Sequence, residues 1–322
     1  MRRVSVIVPT YDRPLMLRDA LASIRALDAA YDDIEFEIIV GDNGRTDATR
    51  RSCEDFGAIY APAHGRGASY ARNAALKMAS GEFVTFLDDD DAWLAGHIRP
   101  HIAFLDAHPK HEGVFGQAIY VDPVMKPLGD PWPEKHPGEG DDLLRALLGG
   151  LFPQIGTVVV RREVVARIGY FDARLVGGQD LDWLLRIARA GKLGFVPTPC
   201  IHFRCRPPGA SDALQRMRIG FDCRVFLRHG LPVALRVWKS PISFIRAYHA
   251  SLFHFYEYFT GQAIRLAEEG SLRQVAAMLQ PLAIYMPLLL VSDFLRPSAL
   301  RSAIGSRLLR RKLSPRGVTR LP

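Results

Sequence analysis

The sequence predicts an α/β protein built on a doubly wound, mostly parallel sheet with helices on both faces, followed by a C-terminal helical extension. Three observations carry this expectation. Apolar, β-rich runs alternate with helical patterns from residue 4 to residue 87, in the order β-α-β-α-β-α-β. Clusters of turn-forming and charged residues follow these runs, where ligands bind in open α/β sheets. The later third of the chain reads as helical and is strongly basic.

Residues 4–9 (VSVIVP) form the first expected strand, followed by Thr10-Tyr11-Asp12-Arg13-Pro14 and a helical pattern through Leu27. Residues 35–40 (EFEIIV) form the second and lead into the turn-rich loop 41–47, with a helix after it. Gly65-Arg66-Gly67-Ala68 opens a helix over residues 69–79 that carries Arg72 and Asn73. Residues 83–87 form a buried strand that ends abruptly in Asp88, Asp89, Asp90 and Asp91. Four adjacent carboxylates repel one another unless positive charge sits among them. A hard divalent cation, with water and phosphate completing its shell, answers that need. The bland reading is a solvated acidic turn capping a helix that begins near Trp93.

Farther along, Gln179-Asp180 precedes a helix whose apolar positions Trp183, Leu184, Ile187 and Ala188 recur at helical spacing. Asp180 reads either as a general base or as the cap of that helix. A carboxylate held by backbone N–H groups is the poorer base, so the two roles compete. Asp182 is the alternative base. Gly177-Gly178 suggests a sharp bend or a close approach to a ligand. Residues 122–140 hold five prolines and no periodicity, as in a long ordered loop, a lid or a disordered excursion.

Four motifs in this order resemble the inverting family 2 glycosyltransferases with the GT-A fold: residues 4–14, 37–49, 71–93 and 177–191, with a weaker match at 201–211. The resemblance covers about residues 1–211. It implies a nucleotide-sugar donor, usually a UDP-sugar, bound with Mn²⁺ or Mg²⁺. Pro9, Thr10, Tyr11 and Asp12 would lie along the donor, with Thr10 and Tyr11 lining the nucleobase pocket. Asp42 would accept from the base, and Arg72 would contact base or phosphates. Asp88, Asp89 and Asp90 would meet the donor, with Asp88 and Asp90 as the Asp-x-Asp metal pair. Asp180 would be the catalytic base that inversion requires. Arg45 stands where the family usually has a small Ser, and Gln179 where it usually has Glu. Trp132, Gln154, Gly178 and Gln179 would face the acceptor, a glycan, lipid-linked or other hydroxyl. His202 and Arg204 would reach the diphosphate, although His202 alone also reads as an ordinary hydrogen-bonding residue. A sugar nucleotidyltransferase is a rival reading, but residues 8–12 supply no Gly-rich, Lys-bearing phosphate loop. A degenerate relative kept for binding or scaffolding is the other.

Forty-eight per cent hydrophobic residues over 322 positions suffice for one main domain and an appendage. The expected division is a catalytic domain over 1–212 and a basic helical extension over 213–322. Cys53, Cys200, Cys205 and Cys223 lack metal-finger spacing and fit reduced thiols. Met1-Arg2-Arg3 runs directly into the first strand, leaving no room for a cleavable signal peptide, so a cytoplasmic location is expected. Residues 205–322 hold 18 Lys/Arg against 6 Asp/Glu, a net of +12. Ile245, Tyr248, Leu252, Phe255, Tyr256 and Phe259 share a helical face there. Residues 282–291 are wholly apolar, but a membrane span needs about 20 such residues. Apolar helices beside the basic tail (Arg301, Arg307, Arg310, Arg311, Lys312, Arg316, Arg320) read as attachment to the anionic inner face of the cytoplasmic membrane. The other reading is a subdomain packed on the catalytic domain or on a second subunit of a homo-oligomer. No nucleic-acid-binding motif is recognisable, so nucleic acid is not expected as a partner.

Overall fold

The protein was analysed as a computed structural model that describes residues 1–205, 212–269 and 271–313. Its first part alternates strands and helices: β1 (Arg2–Thr10), α1 (Pro14–Asp28), β2 (Ile34–Asp42), α2 (Asp47–Asp55), β3 (Ile59–Pro62), α3 (Ala68–Leu76), β4 (Phe83–Phe86), β5 (Ala92–Trp93) and α4 (Ile98–Ala107). Next come β6 (His111–Val121), α5 (Asp141–Leu148), β7 (Val158–Arg161), α6 (Arg162–Ile168), α7 (Gln179–Ala190) and β8 (Lys192–Arg204). The eight strands form one sheet in the order β3-β2-β1-β4-β7-β6-β8-β5. β2 and β4 pair parallel to β1, β3 pairs parallel to β2, and β8 pairs parallel to β6. β7 is antiparallel to both β4 and β6, and β5 to β8. The expected mixed α/β sheet is therefore present.

Strand β1 is buried from Val4 to Thr10, the continuous apolar run of a central parallel strand. Its side chains alternate between faces: Val4, Val6 and Val8 join one core with Leu17, Leu21 and Ile24 of α1. Ile7 joins the other, with Phe86, Phe115 and Trp183. Pro14 starts α1 at a position where a missing N–H costs nothing. At Gly41, an added Cβ would lie 2.0 Å from the Ala71 carbonyl oxygen. The absent side chain lets α3 pack directly on the end of β2, which fixes where Arg72 emerges.

The chain moves from β1 outward to β2 and β3, then returns to place β4 on the other side of β1. That reversal opens a crevice beyond the carboxyl ends of β1 and β4, the usual ligand position in such sheets. Both the Thr10–Pro14 loop and the aspartate run exit there. No helix starts near Trp93: residues 92–93 form β5 against β8, and α4 begins only at Ile98. The bland capping explanation of the aspartates therefore has no helix to cap.

Everything described after residue 211 is helical: α8 (Asp212–Gly230), α9 (Ala234–Val237), α10 (Pro241–Ser251), α11 (Phe253–Glu269), α12 (Leu272–Tyr285), α13 (Pro287–Leu295) and α14 (Ala299–Leu313). One buried core spans the sheet and these helices. Val225, Phe226, Val233, Val237 and Trp238 share one buried cluster with Leu144 of α5 and Leu184 of α7. Leu252, Phe255 and Phe259 pack against Val275, Leu279, Leu282, Met286 and Leu300 in a separate helical core. Most of the face expected over 245–259 is thus covered by the protein itself, while Ile245 stays exposed. Leu288, Val291 and Leu295 remain exposed at helical spacing on α13, and Ile284 is exposed on α12, across the break at Met286. Among the described residues, no helix is long and apolar enough to cross a membrane. Residues 206–211, the distal part of the weaker motif, lie outside the described residues, as do Arg316, Arg320 and the side chains of Arg307, Arg310, Arg311 and Lys312.

Candidate active site

The four aspartates alternate in environment. Asp89 and Asp91 turn inward and are buried. Asp89 accepts from Thr10 Oγ1 at 2.6 Å and meets Arg13 at 2.5 Å. Asp91 Oδ1 accepts the backbone N–H of Arg204 at 2.8 Å. Burial pushes the Asp89 carboxyl up to about 6, against the pull of Arg13 and Thr10, and raises Asp91 well above the usual range. Asp88 and Asp90 lie on the more open side, with side chains 31% and 10% exposed. Asp90 pairs with Arg13 at 2.8 Å and Asp88 with Arg72 at 2.7 Å. Positive charge does sit among the carboxylates, as repulsion demands: among the described residues, Arg13 and Arg72 pair with three of them. Asp88, part-exposed, and Asp90, nearly buried, lie two residues apart and carry the carboxylate oxygens that a hard divalent cation takes.

Arg13 was not singled out from the sequence. The signal was the sheet itself: β1 and β4 are neighbours, so the loops that follow them must meet. Thr10, expected at the nucleobase, instead turns its hydroxyl to Asp89. Pro9 is buried at the end of β1, opposite Gly41 of β2.

Arg72 links the two halves of the site. Burial opposes its charge, but Asp88 and Asp180 outweigh that and hold it cationic. Nη2 donates to Asp88, whereas Nε and Nη1 are buried without a hydrogen-bond partner. Two such donors cost stability unless an acceptor arrives, and an anion is the natural one.

Asp180 sits in the first turn of α7. The cap is Gly178, in left-handed conformation at φ 64°, with no side-chain capping bond. Asp180 Oδ1 accepts only the adjacent Leu181 N–H, at 3.1 Å. It is therefore not the helix cap. Asp182 is fully committed elsewhere: it accepts from Arg186 at 3.0 Å, Arg228 at 3.0 Å and His229 at 2.9 Å. Burial opposes its charge, yet those partners prevail and lower its pKa. This removes Asp182 as a free base.

Beside the aspartates lies a cleft of about 320 Å³ lined by Tyr11, Asp12, Asn43, Gly44, Arg45, Thr46, Gly65 and Arg66. Tyr11 is exposed, offering a ring face. Asp42 is buried beneath the cleft, accepting from Gly44 N–H at 2.7 Å and the Tyr60 hydroxyl at 3.1 Å. Tyr60 is a second residue the sequence did not announce.

Residues 122–140 fold back on β6. Trp132 pairs with Ala118 through backbone bonds of 2.8 and 2.9 Å. Gln154 donates to the Tyr120 hydroxyl at 3.1 Å. Gln179 keeps a buried side-chain oxygen without a partner. A Cβ on Gly178 would lie 2.6 Å from Asp222 Oδ1, so this glycine also serves the close approach of α8. His202 sits in β8 opposite Ala92. Arg204 Nε is buried and unpartnered, near Asp91.

The chain is similar to several known proteins. A UDP-Glc:α-D-GlcNAc-diphosphoundecaprenol β-1,3-glucosyltransferase of Escherichia coli is 33% identical over 106 residues, 32% of this chain and 40% of that one. The chain spans about two-fifths of the length of the first curated relatives it matches. Among solved structures, residues 1–349 of Staphylococcus aureus TarS superpose with a TM-score of 0.57 at 19% identity, covering 98% of this chain and 93% of that one. The mannosyltransferase PcManGT of Pyrobaculum calidifontis, in complex with GDP-Man and Mn²⁺, gives 0.51 at 20% identity over 98% and 88%. These likenesses show the GT-A fold. The profile of glycosyl transferase family 2 matches residues 5–169, about half of the sequence, and the chain belongs to that family.

Proposed function

We propose that this chain transfers a sugar, with inversion, from a nucleoside diphosphate-sugar, a UDP-sugar by preference, to an acceptor hydroxyl in cell-envelope polysaccharide synthesis. The observation that carries the reading is Arg72, buried between Asp88 and Asp180 with two donors unpartnered. A diphosphate would satisfy those donors and sit beside the metal pair on one side and the base on the other. The named E. coli relative uses UDP-Glc and an undecaprenol-linked acceptor, which favours a UDP-sugar and a lipid-linked or glycan hydroxyl here.

In this reading Tyr11 stacks on the base and Asp42 anchors the cleft floor. Asp88 and Asp90 would hold Mn²⁺ or Mg²⁺, which would supply Lewis-acid neutralisation of the diphosphate. Arg72 takes up charge on the departing phosphate, and Arg204 and His202 stand on the β8 side of the same loop. Asp180 accepts the proton of the attacking hydroxyl. Gln179, Gln154 and Trp132 line the acceptor side. The residues over 1–212 act as the catalytic domain, supported by the packing of α8–α10.

A panel of nucleotide-sugars, assayed for nucleotide release with and without Mn²⁺, tests the proposal. Metal-dependent release of UDP is expected. Pyrophosphate chemistry would indicate a nucleotidyltransferase, and silence across the panel a binding or scaffold protein.

The exposed residues Ile284, Leu288, Val291 and Leu295, together with the +12 charge of residues 205–322, support peripheral attachment to the anionic inner face of the cytoplasmic membrane.

A further inference from the structure

Behind the aspartate loop, away from the donor cleft, three metal-ligating side chains converge. His97 immediately precedes α4, His101 lies one turn later, and Cys200 belongs to β8. All three are fully buried, and one donor atom from each lies within 4.8 Å of the others. His101 Nε2 stands 3.7 Å from Cys200 Sγ. A tetrahedral zinc ion with ordinary Zn–N and Zn–S bonds places nitrogen and sulfur about 3.5 Å apart. One edge of the site therefore already has the required length, and the others close by about 1 Å.

Two further observations point to a ligand. His101 Nδ1 donates to the His97 carbonyl at 3.2 Å, which fixes the tautomer and leaves the Nε2 lone pair facing the thiol. Neither ring nitrogen of His97 has a hydrogen-bond partner, although the Gly156 backbone lies beside the ring. A buried imidazole with both nitrogens unpaired calls for an explanation. Finally, Gly116 of β6 packs its backbone directly against the donors, which only a residue without a side chain allows. A Cβ there would lie 2.2 Å from Sγ, 2.9 Å from the Thr198 carbonyl oxygen and 3.0 Å from His101 Nε2.

We propose that His97, His101 and Cys200 form a structural site for a thiophilic transition-metal ion, Zn²⁺ in the first instance. The Thr198 carbonyl oxygen, 3.0 Å from Sγ, stands beside the three donors as a fourth. Two neutral imidazoles and one thiol suit zinc and not the hard cation expected at Asp88 and Asp90. Binding forms one Zn–S and two Zn–N bonds and releases the thiol proton to solvent. The consequence is mechanical. Leu94 N–H donates to the Cys200 carbonyl at 2.8 Å, and β5 pairs with β8. A metal there clamps the exit of the aspartate loop to the strand that carries His202 and Arg204. Because the site is enclosed, the ion would enter as the chain folds.

The full chain, produced in zinc-supplemented medium and dialysed against EDTA, should retain about one zinc per chain by elemental analysis. Refolding with Co²⁺ should give a thiolate-to-cobalt charge-transfer band. Cys200→Ser should lower bound metal at least tenfold, while Asp90→Ala should leave it unchanged. A chain with Cys53, Cys205 and Cys223 all changed to Ser should keep the band, which assigns it to Cys200. Wild-type protein that holds less than a tenth of an equivalent and gives no cobalt band overturns the proposal. So does full retention of metal by Cys200→Ser. The cobalt measurement needs no variant, so poor folding of Cys200→Ser would leave the test intact.

Discussion

Asp180→Asn, paired with Asp182→Asn, separates catalysis from architecture. Asp180 makes one short-range contact, to the Leu181 N–H, and α7 is capped by Gly178. Loss of its charge removes a first-turn interaction with the helix dipole, about 0.3–1 kcal/mol. The melting temperature should therefore fall by no more than about 3 °C. As the general base, however, Asp180 should contribute about 10²–10⁴ to turnover, equal to roughly 3–5 kcal/mol of barrier. Asp182 should show the reverse. Its carboxylate is buried against Arg186, Arg228 and His229, and breaking such a network costs about 3–5 kcal/mol. A drop of roughly 5–15 °C follows, with activity per folded molecule kept within a few-fold. Differential scanning fluorimetry and a coupled nucleotide-release assay read the two quantities on the same samples. If Asp180→Asn loses stability and keeps its rate, Asp180 is structural and the assignment of the base fails.

Asp90→Ala should weaken Mn²⁺ and UDP-sugar affinity by tenfold or more without unfolding the protein, since it relieves carboxylate repulsion; unchanged calorimetric affinities would remove Asp90 from the site. Arg72→Met should lose donor binding but also relieve two unpartnered buried donors, so its stability should fall less than that of Asp182→Asn, as thermal melts will show. Burial raises Asp222 to about 7, with Arg218 opposing and Asp180 adding to the shift, and His254 facing it at 3.9 Å. A raised carboxyl pKa gives stability that is present below about pH 4 and lost as pH rises through 7. Asp222→Asn should accordingly stabilise the protein more at pH 8 than at pH 5, and a pH-independent difference in melting temperature would refute that. Leu288→Glu, at an exposed position, should reduce binding to vesicles containing anionic lipid while leaving the melting temperature unchanged; salt should release the wild type progressively, because the screening length is about 10 Å at 0.1 M. Absence of binding to anionic vesicles would exclude the membrane surface, and binding unaffected by either change would exclude attachment through Leu288 and the basic charge.

How far the sequence disclosed all this depends on the range of the interactions involved. β1 and β4 were readable as apolar runs, the signature of a strand buried on both faces, and β2 as an apolar run entered through the alternation of Glu35, Phe36 and Glu37. Asp88–Asp91 stood out because a charged run abutting a core strand is locally anomalous. The other half of the sheet was not readable in this way. β6 and β8 pair along most of their length with irregular register, and that pairing joins residues some 80 positions apart. Arg13 illustrates the same limit at the site. Nothing about an arginine in a turn identifies its partner, and only the adjacency of β1 and β4 brings it to Asp89 and Asp90. Asp180 and Asp182 differ for the same reason. Both lie in the first turn of α7, yet α8 supplies Arg228 and His229 to the second and leaves the first open towards Arg72. The apolar helices after residue 240 show the opposite error. Their periodicity was visible, but periodicity states only that a face is covered, not by what. Phe255 and Phe259 are covered by α12 and α14, whereas Leu288, Val291 and Leu295 of α13 stay exposed among the described residues, and Leu288→Glu tests whether a membrane surface covers them.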